Sequence, residues 1–449
     1  MAASVAARII RSSPRPGAIN FNRNMIHPKK LTRIVTCQGG IQLIAALAAL
    51  SSRESEQKHL GDEYQYEDFL VVYDLYAPHG QLEEFARFVV KMALAACNWK
   101  AVIYLKPEQM DELAASLDVS TTPIVLARVH ELVGITKADE IYLCRNWQFG
   151  NRLMINAYRE AEKICYGDGI GIYFSEAYFL PTVVNNGRGL KSMIMGKLRR
   201  LKNSLKDRVR PVPPPESVAP PEIVNKASVS AVLEEVDFDI GYFLLPDILG
   251  ETPPMKTRLV RREFTSRIFR KLAGALDADH IADKYKFISR VPTVVLMTSN
   301  FSEAAKMSGE KEIVAYREFL GRLKLPREST LIIKPHPRDS EEKIQELGRA
   351  LSDLFSNVVL LTDPNLFFVP FEIFLMQTFR CENEKALRDL KIVTFSTACL
   401  SLEVLFNLGP IIGFGSEIVS KFFYEDYVRG RIRHERDLQL ALQSLAQVA

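Results

Sequence analysis

Short apolar segments rich in β-branched residues alternate with helical segments along most of this 449-residue chain. Strands separated by helices of about ten to fifteen residues are typical of βαβ units and of parallel sheets. The alternation therefore predicts an α/β fold. The segments that we interpret as strands are 33–36, 69–73, 101–104, 140–144, 240–245, 293–297, 330–333, 358–361 and 392–395, and the clearest helices are 81–97, 108–117 and 153–164.

A basic segment and then a proline-rich segment interrupt this alternation. Residues 188–210 hold nine Lys or Arg against one acid, and residues 211–222 hold six prolines. Proline at this density excludes helix and sheet and is typical of a semi-rigid linker. We therefore expect two α/β domains, over 31–187 and 226–430, joined by a linker over 188–225 and followed by a C-terminal helix over 431–449.

The beginning of the chain differs from the rest. Residues 1–35 contain seven Lys or Arg and no acid. We expect residues 1–30 to be an extension outside the fold, either disordered or upstream of a natural start at Met25. A transit peptide for an organelle is the alternative, because such peptides are also rich in Ala, Ser and Arg.

Composition excludes several classes of protein. Hydrophobic residues make up 47% and charged residues 25%, which is the balance of a globular protein and not of a fibrous or disordered one. No apolar run reaches the roughly 18–20 residues that span a bilayer. Six cysteines without a CxxC pair argue against a zinc ribbon or a disulfide scaffold and suit a reducing compartment.

The first of three polar motifs is Gly167-Asp168-Gly169. Its glycines permit a tight turn from which one carboxylate protrudes. A single Asp in a glycine turn most often forms an Asx-turn, so this motif alone does not indicate catalysis.

The second motif is Lys334-Pro335-His336-Pro337, directly after an apolar strand. The two prolines restrict the backbone on both sides of the imidazole and hold it at the strand end. Lys334 and the nearby Arg338 add positive charge, which suits a ligand that carries phosphate. The motif therefore favours a functional histidine over a structural one.

The third motif is Ser396-Thr397, where a strand ends and an apolar helix begins. An ordinary helix N-cap is the simplest interpretation. The same geometry also forms an anion site, because hydroxyls and free backbone amides converge at a helix N-terminus.

The three motifs in this order resemble those of the bacterial sialyltransferases of the polysialyltransferase and lipooligosaccharide-sialyltransferase group. Members share an acidic pair followed by Gly, a His-Pro and a Ser-Ser or Ser-Thr, which correspond here to Asp168-Gly169, His336-Pro337 and Ser396-Thr397. The resemblance spans about residues 31–430. One departure is that Gly167 stands at the first acidic position. This departure leaves open the identity of the acceptor or donor more than it does the class of reaction.

This resemblance implies a GT-B architecture, in which two Rossmann-like domains with parallel sheets face each other across a cleft. It also implies transfer of a sialic acid from CMP-sialic acid, or a related CMP-sugar, to a glycan hydroxyl. The transfer would proceed with inversion and without a metal or other cofactor, in the synthesis of a capsule or surface polysaccharide.

The resemblance also assigns residues to this chemistry. Asp168 would be the general base that takes the acceptor proton, and His336 would donate a proton or hydrogen bond to the departing phosphate. Glu372 would hold the cytidine ribose, although a surface carboxylate at the start of a helix is an equal alternative. The residues that we expect to bind CMP are Lys334, Pro337, Glu372, Ser396 and Thr397.

Further candidates follow other strand ends. Gly39, Gly40 and Asn146 are expected on the acceptor side of the cleft. Asp237 and Asp239 match the DxD pattern of metal-dependent glycosyltransferases, but we expect them at a solvated strand edge and predict no metal site. Residues 277–280 are interpreted as a solvated helix end.

The basic segment 188–210 has apolar residues at spacings of three and four, so one face of a helix there would be apolar. This pattern predicts an interfacial helix that binds an anionic membrane surface. A cytoplasmic enzyme on the inner face of the membrane, acting on a lipid-linked glycan, would follow. The alternative is a solvated helix that packs on its own domain.

Three other functions remain open. A GT-B transferase of Kdo or glycerophosphate would suit the same Lys-Pro-His-Pro motif. A capsule-assembly protein without activity would suit the missing acid at Gly167. Nucleic-acid binding ranks last, because neither an aromatic platform nor an RNA-binding motif accompanies the basic segment.

Overall fold

The computed structural model describes residues 7–9, 29–61, 63–77, 80–167, 169, 172–173, 230–245, 253–276, 283–363, 366, 368–379 and 389–447. Asp168, the basic segment 188–210 and residues 277–280 lie outside the described residues. Within the described residues no helix is both long and apolar enough to cross a membrane.

The first of two sheets has eight strands. They are β1 (Ala7–Ile9), β2 (Lys29–Cys37), β3 (Tyr64–Val72), β4 (Ala101–Tyr104), β5 (Glu140–Leu143), β6 (Glu162–Cys165), β7 (Ile240–Phe243) and β8 (Lys256–Leu259). Their order is β1-β4-β3-β2-β5-β6-β7-β8, and all pairs are parallel except β1 with β4.

Helices cover both faces of this sheet, because its strands are apolar on both sides. They are α1 (Gly40–His59), α2 (Leu82–Ala96), α3 (Pro107–Ala115), α4 (Thr122–Val133), α5 (Phe149–Ala157) and α6 (Arg262–Ala275). One face packs under α1, α2 and α6, and the other under α3, α4 and α5.

The second sheet has five parallel strands in the order β11-β10-β9-β12-β13. They are β9 (Thr293–Met297), β10 (Thr330–Lys334), β11 (Asn357–Leu360), β12 (Leu390–Thr394) and β13 (Ile411–Ile412). Its helices are α7 (Gly309–Arg322), α8 (Glu341–Leu351), α9 (Phe371–Phe379), α10 (Ala398–Phe406), α11 (Ser416–Phe422) and α12 (Glu425–Gln447).

The predicted α/β class with two mainly parallel sheets is confirmed. The expected start of the second domain is not, because β7 pairs with β6 and β8 pairs with β7 in the first sheet. The change of sheet falls between β8 and β9. Alternation along the chain reveals that a strand exists, but the sheet that it joins depends on pairing across a long sequence separation.

Three element bounds also differ from expectation. The predicted helix over 153–164 ends at Ala157, and its last part is strand β6. Short apolar runs of this kind cannot be assigned to helix or strand by periodicity alone. Residues 7–9 of the expected extension form an edge strand, and α12 begins at Glu425 rather than at residue 431.

Packing between the two halves fixes their arrangement. The Gln377 side-chain amide on α9 donates to the carbonyl oxygens of Ala273 and Leu276 at the end of α6, at 2.9 and 3.1 Å. The ring of Phe368 lies 5.5 Å from Phe85 and 5.9 Å from Phe88, both on α2. Helix α9 therefore joins the second half of the chain to the helices of the first.

Candidate active site

All three sequence motifs follow the carboxyl ends of parallel strands. Gly167 comes two residues after β6, His336 two residues after β10, and Ser396 two residues after β12. The helix predicted over 153–164 would precede the first motif, but the structure has the strand β6 there. Ligands of open α/β sheets bind outside the carboxyl ends of the strands, so the motifs occupy the edge where a site is expected.

The carboxyl edges of the two sheets face each other across this site, as the expected GT-B architecture requires. A Cβ atom built on Gly169 would lie 3.1 Å from Thr397 Oγ1. A Cβ atom on Gly40 would lie 3.8 Å from Pro370 Cγ. The first and third motifs are therefore in contact, although Asp168 itself lies outside the described residues.

The loop that carries His336 is fixed by hydrogen bonds to Asp339. The His336 backbone N–H donates to Asp339 Oδ2 at 2.9 Å and to Thr298 Oγ1 at 2.8 Å, and the Asp339 N–H donates back to the His336 carbonyl at 2.9 Å. The Asp339 carboxylate also accepts from Thr298 Oγ1 at 2.5 Å and from Lys343 Nζ at 2.9 Å. The carboxylate thus closes the turn on which the half-buried His336 and Pro337 stand.

The imidazole of His336 has a defined tautomer. Its Nδ1 accepts a hydrogen bond of 3.1 Å from the Arg338 backbone N–H, so the proton of the neutral ring is on Nε2. Burial and the positive charges of Arg338, Lys334 and Lys343 lower the pKa of His336 to about 3. At neutral pH the ring is therefore a neutral donor through Nε2, surrounded by cations.

Lys334 and Glu372 are both buried and interact electrostatically, and Lys334 Nζ donates to the Pro335 carbonyl at 3.2 Å. Burial lowers the pKa of Lys334 to about 8, although the charges of Asp339 and Glu372 oppose the shift. Burial raises the pKa of Glu372, which is 2% exposed and accepts a hydrogen bond from Ser401 Oγ on α10. The interpretation of Glu372 as a surface carboxylate is therefore wrong.

The hydroxyls of the third motif make only one long hydrogen bond to the start of the helix that they precede. Ser396 Oγ accepts from the Ala398 N–H at a long 3.4 Å, and the Thr397 side chain makes no capping hydrogen bond. Behind the motif, Arg431 Nη1 on α12 donates to the Phe395 carbonyl at 3.1 Å. Arg431 also pairs with Glu435 at 2.7 Å, so the last helix holds this loop in place.

The acceptor-side candidates have different environments. Gly39 ends the loop before α1, and a Cβ built on it would meet nothing within 4 Å. The Asn146 side-chain amide donates to the Val236 carbonyl at 3.1 Å, which holds the segment ahead of β7. Gly40 therefore lies near the second half of the chain and Gly39 precedes it, whereas the Asn146 amide is already engaged.

The DxD sequence lies at the other end of the sheet. Asp237 and Asp239 are exposed and precede β7 at its amino end. The Asp239 carboxylate accepts from the Lys163 backbone N–H at 2.8 Å. The predicted solvated strand edge is confirmed, and these acids are remote from the three motifs.

Four residues of this site were not found from the sequence. Asp339, Thr298 and Lys343 shape the His336 turn, and Arg431 supports the third motif. Asp339 follows the Lys-Pro-His-Pro motif by two residues, and this spacing is the one signal that was available. Lys343 follows Asp339 by four residues on α8. Thr298 and Arg431 come from distant parts of the chain, so only the fold brings these two here.

Comparison with known families decides the class of protein. A family model described as Alpha-2,8-polysialyltransferase (POLYST) matches residues 33–379. The chain belongs to the alpha-2,8-polysialyltransferase family. Membership confirms the resemblance drawn from the three motifs and makes this chain a glycosyltransferase. The matched range includes the first two motifs and Glu372, and it ends before Ser396 of the third motif.

Similar solved structures are distant from this family member. A putative UDP-N-acetylglucosamine 2-epimerase from Listeria monocytogenes is 9% identical with a TM-score of 0.40, covering 93% of this chain and 91% of that one. UDP-GlcNAc 2-epimerase from Neisseria meningitidis is 10% identical with a TM-score of 0.36, covering 93% and 100%. The trehalose-6-phosphate phosphatase N-terminal domain from Candida albicans is 12% identical with a TM-score of 0.40, covering 93% and 96%. No curated protein matches the chain.

The Gly167→Ala substitution should destabilise the first half of the chain more than Gly61→Ala does. Both glycines have a left-handed φ, of +82° and +85°, so each alanine incurs about 1–2 kcal/mol of backbone strain. Only at 167 would the new Cβ meet a backbone atom, the Ile172 carbonyl oxygen at 2.4 Å, and such overpacking adds about 1–3 kcal/mol. Urea unfolding of the two variants measures the difference, and equal losses would contradict the assigned turn.

Proposed function

We propose that this enzyme transfers a sialic acid from CMP-sialic acid to a glycan hydroxyl, with inversion and without a metal, in the synthesis of a capsule or surface polysaccharide. The observation that carries the proposal is the pairing of a neutral His336 donor with cations at the carboxyl edge of the second sheet. A departing nucleotide phosphate would be stabilised by three groups: the Nε2–H of His336, the Lys334 ammonium and the N-terminus of α10.

The transfer is a single displacement at the anomeric carbon. The acceptor oxygen forms its bond from the face opposite the nucleotide, and the bond to the CMP phosphate oxygen breaks. Asp168 takes the hydroxyl proton, and His336 Nε2–H stabilises the negative charge that develops on the phosphate. One displacement inverts the anomeric configuration.

Donor binding is assigned to the second half of the chain. Ser396, Thr397 and the free amides of α10 would bind the phosphate, beside Lys334. One carboxylate oxygen of Glu372 is bound by Ser401, and the other is assigned to the cytidine ribose. Pro337 keeps the His336 turn rigid on the donor side.

Release of CMP from a panel of nucleotide-sugar donors separates this proposal from a Kdo or glycerophosphate transferase. No release from any donor would favour an inactive assembly protein.

The Asp168→Asn variant should lose transfer and keep donor binding. Removal of a general base lowers kcat by about 10²–10⁴-fold, whereas the amide preserves the size of the side chain. Chromatographic product analysis and calorimetry with CMP measure the two effects, and Asp237→Asn, an exposed acid at the remote edge, is the control. Transfer should also persist in excess chelator. Near-normal transfer by Asp168→Asn, or strict dependence on a divalent cation, would contradict the proposal.

CMP affinity should fall as the pH rises through about 8. Lys334, with a pKa of about 8, loses its charge in this range, whereas His336 has a pKa of about 3 and stays neutral throughout. Calorimetric titration on either side of pH 8 measures the change. The Lys334→Gln variant should bind CMP more weakly and without this pH dependence, and Lys311→Gln, on the exposed face of α7, should keep it. A wild-type affinity that is constant across this range would remove Lys334 from the donor site.

We also propose that the enzyme is a peripheral protein of an anionic membrane surface, on its cytoplasmic side. The support is the sequence of residues 188–210, with nine cations and a periodic apolar face. Each cation near such a surface contributes about 1 kcal/mol, and salt screens the attraction. Sedimentation with vesicles should therefore require anionic lipid and weaken with salt.

Charge reversal tests which cations are responsible for this binding. Changing Arg199, Arg200 and Lys202 to Glu should abolish sedimentation with anionic vesicles. The matched control changes three exposed lysines elsewhere to Glu, namely Lys58, Lys137 and Lys311. An equal loss in both triple variants, or equal binding to neutral vesicles, would contradict an interfacial role for this segment.

A further inference from the structure

A large cavity lies on the first sheet between α2 and β4, outside the three motifs. Its volume is about 630 Å³, within the range of about 300–1,000 Å³ typical of ligand sites. Its apolar lining comes from the outer face of α2 and from β4. The apolar residues are Ala86, Val90, Leu94, Ala95, Val102 and the ring of Tyr104.

Cations dominate the rim of this cavity. Arg87, Lys91 and Lys106 line it, against a single acid, Glu83. Arg87 and Lys91 are exposed, and Lys106 is half-buried. An apolar interior with a positive rim is complementary to an amphiphile that carries a negative charge.

Tyr104 connects the cavity with the candidate active site. The same side chain lines a second cavity of about 330 Å³, together with Tyr76 and Arg338. The guanidinium of Arg338 lies 4.9 Å from the Tyr76 ring centroid, and its backbone N–H is the group that fixes the His336 tautomer. Tyr104 therefore lines both cavities, and Arg338 links the second of them to the His336 turn.

The Tyr104 hydroxyl has an unused donor at the junction. Tyr104 is 7% exposed, and within the described residues its buried oxygen has no hydrogen-bond partner. Burial raises its pKa to about 12, so the group keeps its proton at neutral pH. A buried hydroxyl without a partner is costly, and an acceptor oxygen on a ligand would satisfy it.

We propose that the 630 Å³ cavity binds the apolar aglycone of the glycan acceptor, with an adjacent anionic group at the cationic rim. The inference rests on the proposed sialyl transfer and names the acceptor class: an amphiphilic glycan, rather than a free oligosaccharide. The glycan part would lie along Tyr76 and Arg338, and its terminal hydroxyl would reach the three motifs.

Binding is tested first without catalysis. Decyl phosphate, below its critical micelle concentration, should bind the full-length protein in calorimetry, and inorganic phosphate at the same concentration should not. Val90→Asp should weaken binding at least about tenfold, because it places a charge against the alkyl chain. Lys91→Glu, an exposed change that leaves the core intact, should also weaken it. Ile124→Asp, at an apolar residue of α4 that is 70% exposed on the opposite face, should leave it unchanged.

Transfer to two matched acceptors then tests the link to the active site. The same oligosaccharide with a decyl aglycone should have a KM at least about tenfold lower than with a methyl aglycone, at similar kcat. Val90→Asp should remove this difference and leave the methyl glycoside unaffected. Equal KM values in the wild type, or decyl phosphate binding that Val90→Asp and Lys91→Glu do not weaken, would overturn the inference. Binding of decyl phosphate without transfer of sialic acid to either acceptor would instead contradict the proposed function and leave the cavity assignment supported.

Discussion

The contact between the carboxyl edges of the two sheets is the feature on which the candidate site depends. Gly169 after β6 lies against Thr397 at the start of α10, and no side chain larger than hydrogen fits between them without displacing the threonine. The contact is held from a distance by Gln377 on α9 and by the ring of Phe368, which precedes that helix. Residues from β6, β10 and β12 can therefore act on one ligand only because packing elsewhere brings two independent sheets together.

Burial shifts the pKa values of the groups at this edge from those they would have in water. Burial and three nearby cations lower the pKa of His336, so the ring is neutral, whereas Lys334 keeps its charge at neutral pH although burial lowers its pKa to about 8. Asp339 balances part of this positive charge and closes the turn below the imidazole. A neutral donor beside the buried Lys334 ammonium is suited to an incoming anion, because in a low dielectric the attraction to a phosphate is strong.

The sequence was sufficient for elements whose pattern is local. Strands Ala101–Tyr104 and Thr293–Met297 have the bounds that were predicted, since their length of four or five residues and their β-branched and aromatic composition favour a strand over a helix. It was insufficient where the outcome depends on distant partners. Periodicity assigns most of Glu162–Cys165 to a helix, and alternation along the chain places β7 in the second sheet, both of which the structure corrects. No local pattern connects Arg431 with Phe395, which is 36 residues away. The three motifs can be recognised because each is a short local sequence. Several of the residues that support them are distant in sequence and cannot be recognised in this way.

Gly167 shows how the backbone can explain a departure from a family pattern. The resemblance has an acid at this position, but here the residue has a φ of +82° and the Ile172 carbonyl occupies the space of a Cβ. The turn therefore excludes a second carboxylate, and the backbone conformation at Gly167 explains why the acid is absent. Two adjacent carboxylates raise one another's pKa, so in the proposed mechanism Asp168 acts without that effect.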